Sequence, residues 1–179
     1  MNAVRQVSLR LQTDRLVMRP VEDADAAATA ALVTPDVAAN LSTWPSPMSV
    51  AQAAAKIARS KTMLATREAL DLAIVDRSGG TLLGWIGLAL IAPGTARVGY
   101  WLGGSARGRG LMKEAVIVVV PAAAPFLDAE RIIGLVLKDN APSIAVLQAA
   151  GFQFHGEELV PFEIARTSRL CLRFERSAR

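Results

Sequence analysis

Ser105-Ala106-Arg107-Gly108-Arg109-Gly110-Leu111-Met112-Lys113-Glu114-Ala115 follows a strand-like run, Val98 to Leu102, and opens a strongly apolar segment. A strand, a glycine-rich basic turn and a helix start, in that order, form a device for holding phosphate. Glycines let the backbone turn tightly and approach an anion closely. The free N–H groups of the first helical turn supply donors and a partial positive charge. Arg107, Arg109 and Lys113 add full charges beside them. A P-loop would end in Gly-Lys-Ser/Thr, whereas Leu111 and Met112 follow Gly110 here and leave no hydroxyl for magnesium. A dinucleotide fingerprint would need a third glycine where Lys113 stands, and would open the first βαβ unit of the chain. An ordinary basic turn before a buried helix stands as the plain alternative.

The segment resembles the acyl-CoA pyrophosphate loop of the GNAT superfamily of acetyltransferases, Arg/Gln-x-x-Gly-x-Gly/Ala. Arg107 and Gly110 are in register, and Met112 departs from the pattern at its last position with a side chain large enough to narrow the approach to the backbone. Further matches follow in order along nearly the whole chain, and they resemble the Rim-type branch, which acetylates ribosomal-protein N-termini. Thr13-Asp14-Arg15-Leu16-Val17-Met18-Arg19-Pro20 is similar to that branch's opening strand, with Glu22-Asp23-Ala24-Asp25 at the start of a helix. Trp44-Pro45, Gly99-Tyr100-Trp101-Leu102, Glu114-Ala115, Asn140 with Ser143, and Gly151-Phe152 complete the pattern.

Composition agrees with one enzyme-sized domain spanning residues 1–179. A chain of 179 residues with 52% hydrophobic content can bury a full core. The net charge of +4 is moderate and scattered, with a mild excess of arginine from Arg166 to Arg179. A solvated surface or contact with ribosomes and CoA phosphates would both account for it. One cysteine, Cys171, and one histidine leave no internal disulfide and no metal cluster, so no metal is expected and a reducing cytoplasm fits. The N-terminus lacks a signal-like apolar region, and the longest apolar run, Ala115 to Leu127, is too short to span a bilayer. A soluble monomer or homodimer without membrane attachment is expected.

Along the chain, Leu11 to Arg19 reads as a strand and Val21 to Val33 as an Ala-rich helix with acids in its first turn. Thr34 to Ser49, with its prolines, reads as loop or short turns. Val50 to Arg67 reads as a helix capped by Ser49. Leu70 to Asp76 and Leu82 to Ile91 flank Ser78-Gly79-Gly80 as a hairpin, and Ala96 to Leu102 continues the meander. In Leu111 to Leu127 the run Val116 to Val120 suits a strand by propensity. An anion-binding turn requires a helix there, kinked or ended by Pro121. Arg131 to Leu137 reads as a strand, Ala141 to Ala150 as a helix closed by Gly151, and Phe152 to Gly156 with Arg169 to Arg176 as the last strands, Pro161 to Arg166 being the loop before the final one. Hairpins followed by βαβ units give an α+β fold with helices on both faces. The resemblance adds a mixed, mostly antiparallel sheet, splayed between its fourth and fifth strands (Tyr100 to Leu102 and Leu135 to Lys138 in this chain).

Acyl transfer from a thioester to an amine requires a neutral amine, stabilisation of the thioester oxygen and protonation of the departing thiolate. The resemblance implies acetyl-CoA as co-substrate, its pantetheine arm lying in the splay against the backbone of Tyr100 and Leu102. It implies a pyrophosphate site at Arg107, Gly108, Arg109, Gly110, Leu111 and Met112. It also implies that Asn140 bonds the pantetheine amides and that Ser143 protonates the thiolate. Read locally, Asn140 and Ser143 are equally a helix N-cap pair, and the two readings are compatible.

For the general base, members of the branch often carry a Glu two residues before Gly-Tyr-Trp, and Arg97 stands there in this chain. Glu157, Glu158, Glu163 and His155 are the alternatives, Glu163 being the candidate base; His155, without a visible partner, reads first as a surface or packing residue. An α-amine of pKa near 8 is roughly a tenth to a third neutral around pH 7, and a lysine about a thousandth. A site without a strong base therefore suits an α-amine or another weakly basic amine. Trp44 and Trp101 are candidate walls for the acceptor; aromatic residues at such spacings, Trp85 included, also read as core.

The expected function is transfer of acetyl from acetyl-CoA to a primary amine by direct attack in a ternary complex. The amine is a protein N-terminal α-amine, by resemblance that of a ribosomal protein, or a small amine. A sensor of the same fold that binds acyl-CoA without transferring it is the first alternative. A small basic ribosome- or RNA-associated protein is the second; its binding would weaken steeply with salt and ignore CoA.

Overall fold

The computed structural model describes residues 9–178. Eight strands form one sheet in the order β1-β2-β3-β4-β5-β6-β8-β7. The elements are β1 (Leu11–Gln12), β2 (Leu16–Pro20), α1 (Ala26–Leu32), α2 (Pro35–Ala38), α3 (Val50–Ala65), β3 (Ala69–Asp76), β4 (Leu82–Ala92) and β5 (Thr95–Leu102). They continue as α4 (Leu111–Ala123), β6 (Arg131–Leu137), α5 (Ala141–Ala149), β7 (Gln153–Phe162) and β8 (Thr167–Ser177). Every neighbouring pair is antiparallel except β5 with β6. The crossover between those two carries α4, as a parallel connection requires.

Each face of the sheet buries its own core. Leu70, Leu72, Ile74, Ile86, Leu88 and Val98 pack with α4 and α5. Ala73, Val75, Trp85 and Trp101 alternate with them and pack with Val33, Met48, Ala53 and Ile57 from the α1 to α3 side. Period-2 alternation in β3 to β5 thus sends successive residues to opposite helical layers, and the expected α+β architecture with helices on both faces is the one found.

The valine run takes the helical state. Leu111, Met112, Ala115, Val116, Val119, Val120 and Ala123 are buried in α4, a stripe of helical period that burial rewards above β-branched propensity. Pro121 lies inside the helix on its exposed side, four residues after the exposed Ile117. The Ile117 carbonyl, which loses its helical donor, can therefore face water. Ser49 caps α3 through a reciprocal box with Gln52, 3.2 Å and 2.8 Å.

Two expectations are corrected. Leu11 to Arg19 is a tight hairpin rather than one strand, because Thr13 both donates from its N–H to the Leu16 carbonyl and accepts the Leu16 N–H on its hydroxyl. The last hairpin is longer than Phe152 to Gly156 and Arg169 to Arg176 suggested. β7 runs through Pro161 and Phe162 paired to β8, leaving only residues 163–166 as the turn. Cross-strand pairing overrides the poor strand propensity of Glu157, Glu158 and Pro161 there.

Candidate functional site

The site begins where the sheet opens. β5 and β6 pair from Thr95↔Arg131 to Val98↔Gly134 and no further. Beyond those residues β5 stays with β4 as far as Leu102, and β6 stays with β8 as far as Leu137. The facing edges of Gly99 to Leu102 and Leu135 to Leu137 diverge, so their backbone donors and acceptors line a wedge-shaped gap. This is the splay expected from the resemblance.

The glycine-rich turn lies at the wide end of that gap. Gly108 and Gly110 both have positive φ, 73° and 75°, and Gly110 is the N-cap of α4. A side chain at either position would strain this backbone. The first-turn N–H groups of α4 follow directly, with the exposed Arg109 and Lys113 beside them. Arg107 donates from Nε to the Leu102 carbonyl at 3.1 Å and from Nη1 to Asp36 at 2.7 Å. It braces the end of β5 against α2. Leu111 and Met112 point into the core, 2% and 8% exposed, so the bulk of Met112 is turned away from the turn and does not narrow it.

α4 is tied at its start to the first hairpin. Glu114 accepts from Thr13 and, at 2.7 Å, from Arg15 Nε, while Arg15 Nη1 donates to the Arg109 carbonyl at 2.9 Å. Partial burial pushes the Glu114 carboxyl up, but the Thr13 hydrogen bond and the Arg15 guanidinium outweigh it and hold the pKa below its ordinary value. Two segments that carry the family resemblance are therefore one physical unit.

On the α5 side, Asn140 is the N-cap of that helix, its Oδ1 accepting the Ser143 N–H at 3.2 Å, while Nδ2 donates to Asn40 Oδ1 at 3.2 Å. The Tyr100 hydroxyl crosses from β5 to lie 2.9 Å from Ser143 Oγ and donates to the Ser143 carbonyl at 3.3 Å. Burial pushes the phenol up to about 12, the Ser143 hydrogen bond opposing. At neutral pH it is a proton donor. Forty-three residues separate the pair, and no local sequence signal announces it.

The opposite face of β3 to β5 forms the other half. Trp44 stands edge-on to Trp85 and Trp101, with ring centroids 5.2 Å apart in both pairs. Trp85 donates to Thr29 at 3.0 Å, and the buried indole N–H of Trp101 has no hydrogen-bond partner. Trp101 is covered by Trp44, so the half-buried Trp44 presents the accessible ring. Directly opposed residues share a face, so Asp71, Gly87 and Gly99 form one row across the sheet. Nothing lies within 4 Å of where a Gly99 side chain would begin. Arg97 is exposed two residues before it, on the same face.

The base candidates are dispersed. Glu163 is exposed in the β7–β8 turn, and its charge reaches Lys56. Glu157 pairs with Lys138 at 2.6 Å, Glu158 with Arg173 at 3.1 Å, and His155 lies 3.6 Å from Glu175 on the edge strand. One carboxylate escaped the sequence reading. Asp71 is half-buried on β3 and accepts a hydrogen bond from the buried Ser60 of α3. Burial pushes its carboxyl up, against Ser60, Lys56 and Arg59. Lys56, over the Trp44 ring at 4.6 Å, is pushed down chiefly by burial. Among the described residues no cluster of His, Cys, Asp or Glu is fit to hold a metal, and no helix is long and apolar enough to cross a membrane.

Comparison with known proteins agrees with this geometry. Residues 15–153 match the acetyltransferase (GNAT) domain family. The chain is 35% identical over 104 residues to Probable N-acetyltransferase YjcK of Bacillus subtilis (strain 168), covering 56% of this chain and 58% of the relative's length. It therefore spans under two thirds of that curated relative. Mycobacterium smegmatis RimJ, solved in complex with CoA-disulfide, superposes with a TM-score of 0.76 at 24% identity, over 91% of this chain and 82% of that one. The ribosomal-protein-S5-alanine acetyltransferase of Vibrio fischeri does so at 0.78 and 18% identity, over 95% and 97%. At these identities the two structures speak for the fold. With the domain match spanning most of its length, the splayed sheet and the left-handed glycine turn in place, this chain belongs to the GNAT acetyltransferase family.

Proposed function

We propose that the protein is an acetyl-CoA-dependent N-acetyltransferase acting on a primary amine, a protein N-terminal α-amine or a small amine, by direct attack within a ternary complex. The observation that carries this reading is the loss of β5–β6 pairing after Val98 and Gly134, beside an unobstructed glycine turn. Family membership supports acetyl-CoA as donor, and RimJ, a structural neighbour, holds a CoA derivative. Its likeness and that of the Vibrio fischeri enzyme favour an α-amine acceptor and the Rim-type branch.

In this reading the pantetheine arm takes the place of the missing β5–β6 ladder, bonding Gly99 to Leu102 and Asn140. The pyrophosphate lies on the N–H groups of residues 110–112, near Arg109 and Lys113. Backbone N–H groups beyond Val98 face the thioester oxygen and stabilise the charge it gains. The amine nitrogen attacks the carbonyl carbon, the C–N bond forms, and the C–S bond breaks. Ser143 gives its proton to the departing thiolate, the attacking nitrogen sheds one to solvent, and solvent returns one along the Tyr100–Ser143 hydrogen bond, so that Tyr100, with its raised pKa, ends protonated. The test is a thiol-release assay with acetyl-CoA against a lysine-free peptide, a lysine-only peptide blocked at its N-terminus, and spermidine. Release with the free N-terminal peptide above the lysine peptide is expected. Binding of acetyl-CoA with no release on any acceptor would instead favour the non-catalytic sensor, which the Arg97 in place of a carboxylate supports.

A further inference from the structure

Resting on that reading, we propose that Asp71 is the proton acceptor for the incoming amine, supplying from β3 the carboxylate that β5 lacks at Arg97. The geometry starts from Gly87. A Cβ built there would stand 2.1 Å from Asp71 Oδ1, so the carboxylate lies over Gly87 and would have to swing aside for any larger residue there. Gly87 is paired to Gly99. Neighbouring strands are about 4.8 Å apart, which puts the carboxylate about 5 Å from the open floor at Gly99. Gly99 is the first residue of β5 past its last pairing with β6. An amine over Gly99 is therefore at the mouth of the gap on one side and within reach of Asp71, directly or through one water, on the other.

The surroundings suit a base. Ser60 fixes the carboxylate from α3, and Lys56 and Arg59 of the same helix face it; Glu163 acts on Lys56 from the β7–β8 turn, and β4 contributes no charge beside it. Asp71 as a residue retains part of its surface in solvent. Burial raises its affinity for a proton above that of an ordinary aspartate, which brings it closer to the amine it would serve. An arriving ammonium carries three protons and the product amide one. Asp71 takes the first before attack and passes it to solvent, then takes the second from the nitrogen as the C–S bond breaks, and solvent returns one through Tyr100 to Ser143, which has protonated the thiolate.

The experiment compares wild type, Asp71→Asn and Ser60→Ala in acetyl-CoA turnover of a lysine-free peptide with a free N-terminus and of spermidine, over pH 6 to 10, beside calorimetric binding of acetyl-CoA. The Asp71→Asn side chain preserves the shape of the carboxylate and can still accept from Ser60. We expect kcat/KM to fall about 100-fold at pH 7 in Asp71→Asn and the deficit to close as pH passes the acceptor's own pKa, with acetyl-CoA affinity within about twofold. Ser60→Ala, which keeps the carboxylate but removes its donor, should move the acid limb of kcat/KM to higher pH and leave the rate at pH 9 to 10 near wild type. A deficit independent of pH, an effect of Asp71→Asn below threefold, or a parallel loss of acetyl-CoA binding would overturn the assignment while leaving the transferase reading intact. Wild type that releases no thiol with either acceptor would overturn both.

Discussion

The two sides of the β5–β6 gap are built from different materials. The side we propose for the cofactor is mostly backbone: a turn set by Gly108 and Gly110, the N-terminus of α4, and strand edges left without a partner. The side we propose for the acceptor is made of side chains from distant segments, Ser60 and Lys56 on α3, Asp71 on β3, Trp44 in a loop and Glu163 in a hairpin turn. A backbone site demands glycine at fixed spacing and tolerates most other substitutions, as Met112 shows by turning into the core. A side-chain site can be relocated from strand to strand. Retention of the first and rearrangement of the second allows one fold to hold one donor and serve many acceptors.

Changes on the cofactor side should be the most severe. Gly110→Val places a β-branched residue at φ 75°, and we expect loss of acetyl-CoA affinity of about 100-fold or more, measured by calorimetry, together with about 1–3 kcal/mol of stability. A binding-competent variant would show that the turn is not what holds the pyrophosphate. Ser143→Ala should lower kcat about 100-fold with acetyl-CoA affinity unchanged, separating proton delivery from binding.

On the acceptor side, loss of the Asp71 carboxylate apart, the effects should be smaller and fall on the amine. Trp44→Ala should raise KM for the acceptor about five- to tenfold, a loss of about 1 kcal/mol of contact, without altering acetyl-CoA binding. If acetyl-CoA affinity fell instead, Trp44 would belong to the other half.

Two pH experiments sharpen the division further. Tyr100 has a folded pKa of about 12 against an ordinary 10. Its contribution to stability is therefore fully present below pH 10 and lost as pH rises toward 12, about 3 kcal/mol in all. Tyr100→Phe should flatten that alkaline decline in Tm. Glu114 has the opposite sign. Its lowered pKa gives stability present above about pH 4.5 and lost as pH falls through the folded value. Glu114→Gln should cost about 1 kcal/mol at pH 7 and less in acid, by loosening α4 from the first hairpin.

The same division explains what could be read in advance. The turn was legible because its glycines, arginines and following helix are contiguous, and a backbone device announces itself locally. The meander was legible from alternation and the Ser78-Gly79-Gly80 turn. Asp71 was not, because an acid within a mostly apolar strand gains meaning only when β3–β4 register lays it over Gly87 and α3 brings Ser60 to it. Tyr100 and Ser143 were each singled out, yet their hydrogen bond depends on α5 packing back across the gap. The valine run in α4 was ambiguous by propensity and is settled by the stripe from Leu111 to Ala123, whose burial depends on the whole sheet.

If acetyl-CoA completes the sheet where β5 and β6 part, hydrogen exchange with and without it will register the new bonds at individual amides. New protection of the amides of residues 99–102, 135–137 and 110–113 is expected, with β1 to β3 unchanged. Protection confined to other parts of the molecule, or none at saturating acetyl-CoA, would contradict it.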